Sequence, residues 1–158
     1  MRWHGVWHTR AWAWSAAMVA LVVLTQQACT SDSVSPDPSV QDLVGDWEAT
    51  ALVLTSVANP AISADLIAQG ATFTLNVQPS GHYTAILISG GAGGAELGVL
   101  SVSGNAISLR TTYPPPADTA TGTFSLSGNT LTIDAETEYE FLNGLKELAN
   151  EHVELVKK

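Results

Sequence analysis

The chain has 158 residues, a length that suggests one domain. Its charge is uneven, because from Thr30 onward fifteen acidic residues stand against four basic ones, a formal net charge of −11. Such an acidic surface repels phosphate groups. The composition therefore argues against nucleic-acid binding and against membrane attachment through a basic patch.

The N-terminus has the pattern of a signal peptide, which we predict to cover residues 1–28. Arg2 and Arg10 supply positive charge, and residues 11–24 are apolar apart from Ser15. A helix of about 14 residues spans roughly 21 Å, which is shorter than a bilayer core of about 30 Å. We therefore expect an export signal that is removed, with an uncleaved N-terminal anchor as the alternative.

The leader ends at Ala28. The next residue, Cys29, is the single cysteine of the chain. A lone cysteine cannot form an intramolecular disulfide, and a free thiol is a liability in an oxidising compartment. Residues 24–29 resemble the processing site of bacterial lipoproteins, in which a small residue precedes the cysteine that becomes the lipidated N-terminus. Gln26 departs from the aliphatic residue usual in that pattern. The resemblance implies a lipid anchor on Cys29, and the Thr30 that follows implies the outer membrane of the cell envelope.

Residues 30–42 are small, polar and proline-containing, without hydrophobic periodicity. They cannot bury enough apolar surface to offset the entropy of an ordered chain. With the lipidated Cys29, they predict a flexible tether over residues 29–42. The folded domain is expected from Leu43 to Lys158.

From Leu43 onward, short apolar and β-branched runs alternate with glycine turns, which is typical of antiparallel strands. Apolar and polar residues alternate with a period of two, so each strand has one buried face and one solvated face. Short hairpins between consecutive strands predict an all-β, up-and-down antiparallel barrel. The eight predicted strands are 46–56, 71–78, 82–89, 95–103, 106–112, 119–127, 130–141 and 149–157.

One helix is predicted between the first two strands, over residues 60–69. Asn59 suits the N-cap, and Pro60 suits the first helical turn. Ile62 and Leu66 stand four residues apart and share one face of such a helix. We expect this helix to cover one end of the barrel as a lid.

Gly45 and Trp47 form the Gly-x-Trp pattern of lipocalins. Residues 81–83, 139–141 and 152–158 are likewise similar to the short bacterial lipocalin-like domains of lipoproteins. The resemblance covers residues 43–158 and implies an eight-stranded barrel. It implies that Trp47 packs at the closed end beneath a basic residue of the last strand, a position that Lys157 would take here.

The predicted ligand-binding set is the apolar inward face of several strands. It comprises Phe73, Leu75, Tyr83, Leu87, Phe124, Tyr139 and Phe141. Because the set contains no charged residue, we expect an apolar or amphipathic ligand, held by buried area at about 25 cal/mol per Å2. Tyr83 and Tyr139 would each offer a hydroxyl to a polar head group. Loops 89–94 and 112–118 are expected at the rim.

Catalytic and metal chemistry lack a sequence signature. After the leader, the only histidines are His82 and His152, and no cysteine accompanies them in a zinc-binding pattern. The chain has no Gly-x-Ser-x-Gly elbow, and residues 90–94 lack the Lys-Ser/Thr ending of a phosphate loop. An acidic row predicts a solvated outer face, with a weak cation site as the alternative. That row is Asp134, Glu136, Glu138 and Glu140. We predict no cofactor, no metal and no enzyme activity.

Two function classes remain open. The favoured hypothesis is a lipid-tethered envelope barrel that holds a small apolar ligand. The alternative is a structural or interaction module, with a filled barrel that contacts an envelope protein. A continuous interior cavity of about 300 Å3 or more favours the first class, whereas a packed interior favours the second.

Overall fold

The computed structural model describes residues 38–141 and 146–158. The predicted signal peptide, Cys29 and most of the predicted tether lie outside this range. In chain order the elements are α1 (Val40–Leu43), β1 (Gly45–Ser56), β2 (Ser63–Asp65), β3 (Thr72–Val77), β4 (His82–Ser89), β5 (Ala92–Ser103), β6 (Ala106–Tyr113), β7 (Thr119–Ser127), β8 (Thr130–Glu140) and β9 (Lys146–Lys157).

The strands form one antiparallel sheet in the order β2-β1-β3-β4-β5-β6-β7-β8-β9. The first long strand also pairs with the last, from Trp47 opposite Lys157 to Ser56 opposite Ala149. This pairing closes eight long strands into a barrel, with β2 as a short addition on β1. The predicted fold class, a closed antiparallel barrel of eight strands, is confirmed.

The strand β1 changes phase at a bulge between Ala49 and Ala51. Before the bulge Trp47 and Ala49 are buried, and after it Leu52 and Leu54 are buried. The extra residue at the bulge bends the strand and turns the following apolar side chains back toward the interior. The bulge therefore lets a single 12-residue strand contribute to both ends of the barrel interior.

Residues 60–69 do not form the predicted helix. Ser63–Asp65 instead pairs with residues 53–55 of β1, because β3 pairs only with the first part of β1, residues 45–48. The Asn59 side chain accepts a hydrogen bond from the Ala61 amide at 3.2 Å, and the Asn59 carbonyl accepts one from the Ile62 amide at 2.9 Å. The free backbone groups of β1 are thus satisfied by a third strand, which outweighs a weak local helical preference.

A helical turn lies earlier, at Val40–Leu43, and starts within the segment predicted as tether. The Asp42 carboxylate accepts hydrogen bonds from the Ser39 amide at 2.7 Å and the Ser39 hydroxyl at 3.1 Å. These hydrogen bonds hold the pKa of Asp42 below its ordinary value. Leu43, at the end of the turn, is fully buried. The folded domain therefore begins a few residues before the predicted boundary.

The helical turn and three hairpin turns gather at one end of the barrel, which is closed by a packed core. The hairpin turns lie at Gly81, Gly104 and Gly128, each with a positive φ. The largest buried core side chains are Leu43, Trp47, Leu75, Val77, Tyr83, Leu100, Ile107, Leu131 and Leu155. Among residues 38–141 and 146–158, no helix has the length and apolar character needed to cross a membrane.

Candidate ligand cavity inside the barrel

The other end of the barrel contains a cavity of about 570 Å3. Pro114 and Asp118 of the β6–β7 connection and Gly94, near the tip of the β4–β5 hairpin, lie around its mouth. One part of its wall is apolar and consists of Leu52, Leu54, Leu66, Phe73, Ala85 and Leu87. The volume lies within the range of about 300–1,000 Å3 that is usual for small-molecule pockets.

The predicted ligand set divides into two groups. Phe73, Leu87 and Tyr139 line the cavity. The other members are buried elsewhere in the core and are absent from the cavity lining; they are Leu75, Tyr83, Phe124 and Phe141. The rings of Tyr139 and Phe141 meet edge to face, with their centroids 4.8 Å apart. The three predicted residues near the mouth therefore share one cavity, whereas the other four pack in the hydrophobic core.

The segment predicted as a lid contributes to the cavity without being helical. Its Leu66 side chain is buried and lines the wall. The Leu66 amide donates to the Leu52 carbonyl at 2.9 Å. The Asp65 carboxylate accepts from the amides of Ile67 and Ala68 at 3.0 and 3.2 Å, which fixes the following turn. This segment is thus fastened to β1 by backbone hydrogen bonds.

The Tyr83 ring is seated beside Gly98 on the neighbouring strand, directly opposite in register. A Cβ atom at Gly98 would lie 2.6 Å from the ring carbon Cε1 of Tyr83. Only glycine leaves room for a ring that packs so close to the backbone. Tyr83 is only 2 % exposed, so it is a core residue next to the cavity.

The Tyr83 hydroxyl belongs to a polar cluster with Glu96 and Thr111, both of which line the cavity. It donates a short hydrogen bond to Oε1 of Glu96 and lies 3.3 Å from the Thr111 hydroxyl. The Thr111 hydroxyl donates to the same carboxylate oxygen at 2.6 Å. Burial, followed by the hydrogen bond to Glu96, raises the pKa of Tyr83 to about 12. The hydroxyl that was predicted to face a ligand is therefore engaged by Glu96.

A second carboxylate, that of Glu151, enters the cavity from β9. Its neighbours in register are Leu54 on β1 and Ala135 on β8. Burial among such groups disfavours the charged form, and the negative charge of Glu96 adds to the effect. The pKa of Glu151 is accordingly raised above its ordinary value.

The two interior glutamates were missed in the sequence, although a signal for Glu151 was present. Ala149, Glu151, Val153 and Leu155 alternate with a period of two along β9, and all except Glu151 are buried. That phase predicts an inward Glu151. The position of Glu96 depends on its pairing with other strands, which local sequence does not specify.

A larger depression of about 700 Å3 lies outside the barrel, across β7, β8 and β9. Its lining includes Thr121, Thr123, Asp134, Glu136 and His152, and it shares Ala120 and Glu151 with the cavity. Small-molecule sites are usually enclosed. The interior cavity is the more enclosed of the two and has an aliphatic and aromatic wall, so it is the better candidate despite its smaller volume.

On that outer face, the His152 ring nitrogen Nδ1 lies 2.6 Å from the Asp134 carboxylate, and Nε2 lies 3.5 Å from that of Glu154. The contact with Asp134 is the main cause that raises the pKa of His152. In the part of the chain that the structure describes, no group of three or more His, Cys, Asp or Glu side chains is arranged to hold a metal ion.

At the closed end, the Lys157 ammonium lies over the Trp47 ring, 5.2 Å from its centroid. The Trp47 indole donates to the Leu43 carbonyl at 2.8 Å. A Cβ atom at Gly45 would lie 2.7 Å from Cε of Lys157, and Gly45 has a φ of +137°. A glycine at position 45 therefore permits the positive φ and leaves room for the Lys157 side chain to reach the Trp47 ring. The predicted placement of Trp47 and Lys157 is observed.

No protein-family model matches the sequence, and a search of curated proteins finds no significant match. The closed barrel is consistent with a lipocalin-like fold.

Proposed function

We propose that this protein is a ligand-binding barrel of the cell envelope, which holds a small apolar or amphipathic molecule in its interior. The observation that carries the proposal is the cavity of about 570 Å3 with its apolar wall. It exceeds the volume of about 300 Å3 that separates a ligand site from a packed interior.

The cavity exists because small side chains replace large ones at the mouth end. Ala85, Gly94 and Ala120 line it, whereas the closed end is filled by residues such as Trp47 and Tyr83. An extended surface of small inward residues cannot fill an eight-stranded barrel, so space remains for one small ligand.

Gly94 provides a direct test. A Cβ atom there would meet nothing within 4 Å, so a larger side chain can enter the cavity without a backbone clash. We expect the neutral probe N-phenyl-1-naphthylamine to bind the purified protein with enhanced fluorescence, and Gly94→Leu to weaken binding at least about tenfold.

Ser101→Leu is the matched control, because Ser101 is exposed on the same strand. It should leave probe binding unchanged. Equal binding by wild type and Gly94→Leu, with both folded by circular dichroism, would show that the probe binds elsewhere. An absence of binding by the wild type to any apolar probe would remove the proposal.

A second candidate, an interaction module, is favoured by the outer wall of β4 to β6. Ile86, Ile88, Leu97 and Tyr113 are 40 %, 48 %, 41 % and 57 % exposed, and Leu97 lies opposite Tyr113 in register. Exposed apolar patches mark protein contacts when they are large. If no probe binds, replacement of Ile86 and Leu97 by serine should reduce capture of an envelope partner.

We also propose that the domain is anchored through a lipid on Cys29. The described chain enters the barrel at its closed end, through α1. Metabolic labelling with a fatty-acid analogue should mark the wild type and not Cys29→Ser. Equal labelling of the two proteins would contradict the anchor.

A further inference from the structure

We propose that the cavity selects a cationic amphiphile, in which a protonated amine pairs with Glu151 and Glu96 and an apolar body lies against the aliphatic wall. This inference rests on the proposed function and specifies its ligand class. It differs from the sequence-based expectation, which assumed an interior without charge.

The first support is the placement of Glu151 on an otherwise apolar face. Its strand neighbours Ala149 and Val153 are buried, and Leu54 is its partner across β1. None of the hydrogen bonds or ion pairs among the described residues involves the Glu151 carboxylate. Glu151 is half-buried and its carboxylate oxygens remain accessible. A cationic ligand in the cavity can therefore reach them and form a charge-assisted pair.

The second support is the orientation of Glu96. Thr111 and Tyr83 both donate to Oε1, so these hydroxyls fix the carboxylate. Within residues 38–141 and 146–158, no hydrogen bond reaches Oε2. An oriented carboxylate with one free oxygen is preorganised to accept a charge-assisted hydrogen bond from an ammonium group.

The third support is the sign of the charge around the cavity. Asp118 and Glu138 add two carboxylates to the lining, and none of the described residues that line the cavity is a lysine, arginine or histidine. Lys157 is engaged at Trp47, and Lys158 pairs with Glu48. The charged groups of the described lining are therefore all acidic, which disfavours fatty acids and other anions and favours cations.

The apolar wall distinguishes an organic cation from a bare metal ion. Leu52, Leu54, Phe73 and Leu87 offer contact area but no ligand atoms. A calcium ion requires six to eight oxygen ligands. An alkylamine uses both parts of the cavity, because its chain buries area against the wall while its ammonium meets the carboxylates.

The test compares three ligands with one apolar body and different charge: decylamine, 1-decanol and decanoate. Each is titrated at neutral pH, below its aggregation concentration, as a competitor of N-phenyl-1-naphthylamine. We expect decylamine to bind at least about tenfold more tightly than decanol, and decanoate to bind most weakly.

Glu151→Gln should reduce the preference for decylamine over decanol, with the remainder due to Glu96, and should leave decanol affinity unchanged. The control Glu154→Gln removes the same charge from an exposed position on the same strand and should preserve the tenfold preference. Gly94→Leu should reduce binding of all three compounds, which identifies the interior as the site.

The outcomes separate the two proposals. If all three compounds bind with similar affinity, or decanoate binds best, the cation inference is wrong and the ligand-binding function stands. If Glu154→Gln removes the preference as fully as Glu151→Gln does, the amine binds the acidic surface and the inference fails. If no compound displaces the probe and the probe itself does not bind, the proposed function fails.

A pH titration adds an independent readout. The titratable groups that line the cavity with Glu151 are Glu96, Asp118, Glu138 and Tyr139, and Tyr83 donates a hydrogen bond to Glu96 from the core. Decylamine affinity should fall as the pH is lowered and Glu151, whose pKa is raised, is protonated, whereas decanol affinity should stay constant. A decylamine affinity that is independent of pH between 7 and 4 would contradict the pairing.

Discussion

Lys157 and Trp47 face each other across β9 and β1, with the lysine ammonium 5.2 Å from the centroid of the indole ring. One residue comes from the start of the first strand and the other from the end of the last. Because the Trp47 indole also donates to the Leu43 carbonyl, a single side chain joins α1, β1 and β9. This arrangement closes the base of the barrel and leaves the opposite end for the cavity.

Replacement of Trp47 should therefore destabilise the whole domain. Trp47 is only 1 % exposed, and Trp47→Ala should lower the free energy of unfolding by about 3–5 kcal/mol. Trp47→Phe keeps most of the buried area and loses the hydrogen bond to Leu43, so a loss of about 1–3 kcal/mol is expected. Urea denaturation followed by circular dichroism measures both. A loss below about 1 kcal/mol for Trp47→Ala would show that the indole is not buried.

Two glycines on the inward face of β5 should respond differently to the same change. In Gly98→Ala the added methyl group meets both the Arg110 carbonyl oxygen of β6 and the Tyr83 ring, and the expected loss is about 1–3 kcal/mol. Gly94→Ala places its methyl group in open space and should be within about 0.5 kcal/mol of the wild type, or more stable. Thermal unfolding of the two variants makes the comparison. Equal stability would contradict the close approach of the β6 backbone and the Tyr83 ring to Gly98.

His152 should titrate above 6.5, its ordinary pKa, because Asp134 accepts a hydrogen bond from its protonated ring. The stability from this pair is present below pH 6.5 and is lost as the pH rises through the raised pKa. NMR titration of the imidazole should show a lower midpoint in Asp134→Asn. Glu140→Gln, on the same strand, should leave the midpoint unchanged, and an equal shift in both variants would indicate a general charge effect.

Glu151 should make the empty protein less stable at neutral pH than its amide variant. Since its pKa is raised in the fold, ionised Glu151 opposes folding above that pKa, and the penalty is absent below pH 4.5, its ordinary value. Glu151→Gln should therefore unfold at a higher urea concentration than the wild type at pH 7, and the difference should vanish as the pH is lowered through this range. A less stable variant at pH 7 would show that the carboxylate is already paired.

The sequence predicts those parts of the molecule that local patterns determine. Period-two alternation and glycine turns gave the eight long strands, and the motif at Gly45 and Trp47 indicated the closed end. The prediction of a helix over residues 60–69 was wrong. Ser63–Asp65 pairs with residues 53–55 of β1, because β3 pairs only with residues 45–48 and leaves that edge of β1 free. That edge is a tertiary feature, which local propensity does not contain.

The candidate site was predictable only in part. Phe73, Leu87 and Tyr139 follow the apolar phase of their strands and line the cavity. Tyr83 also points inward, but it lies nearer the closed end of the barrel, where it packs in the core beside Gly98. Glu96 and Glu151 were omitted because an apolar interior was assumed, and polar residues that break such a pattern are often functional.

The central claim is that the barrel interior holds a small molecule, and native mass spectrometry of the envelope-purified protein tests it most directly. We predict a native mass that exceeds the denatured mass by that of one small basic compound, with no such excess for Gly94→Leu. Identical native and denatured masses for the wild type after gentle purification, together with failure to bind any apolar or cationic probe, would contradict the account.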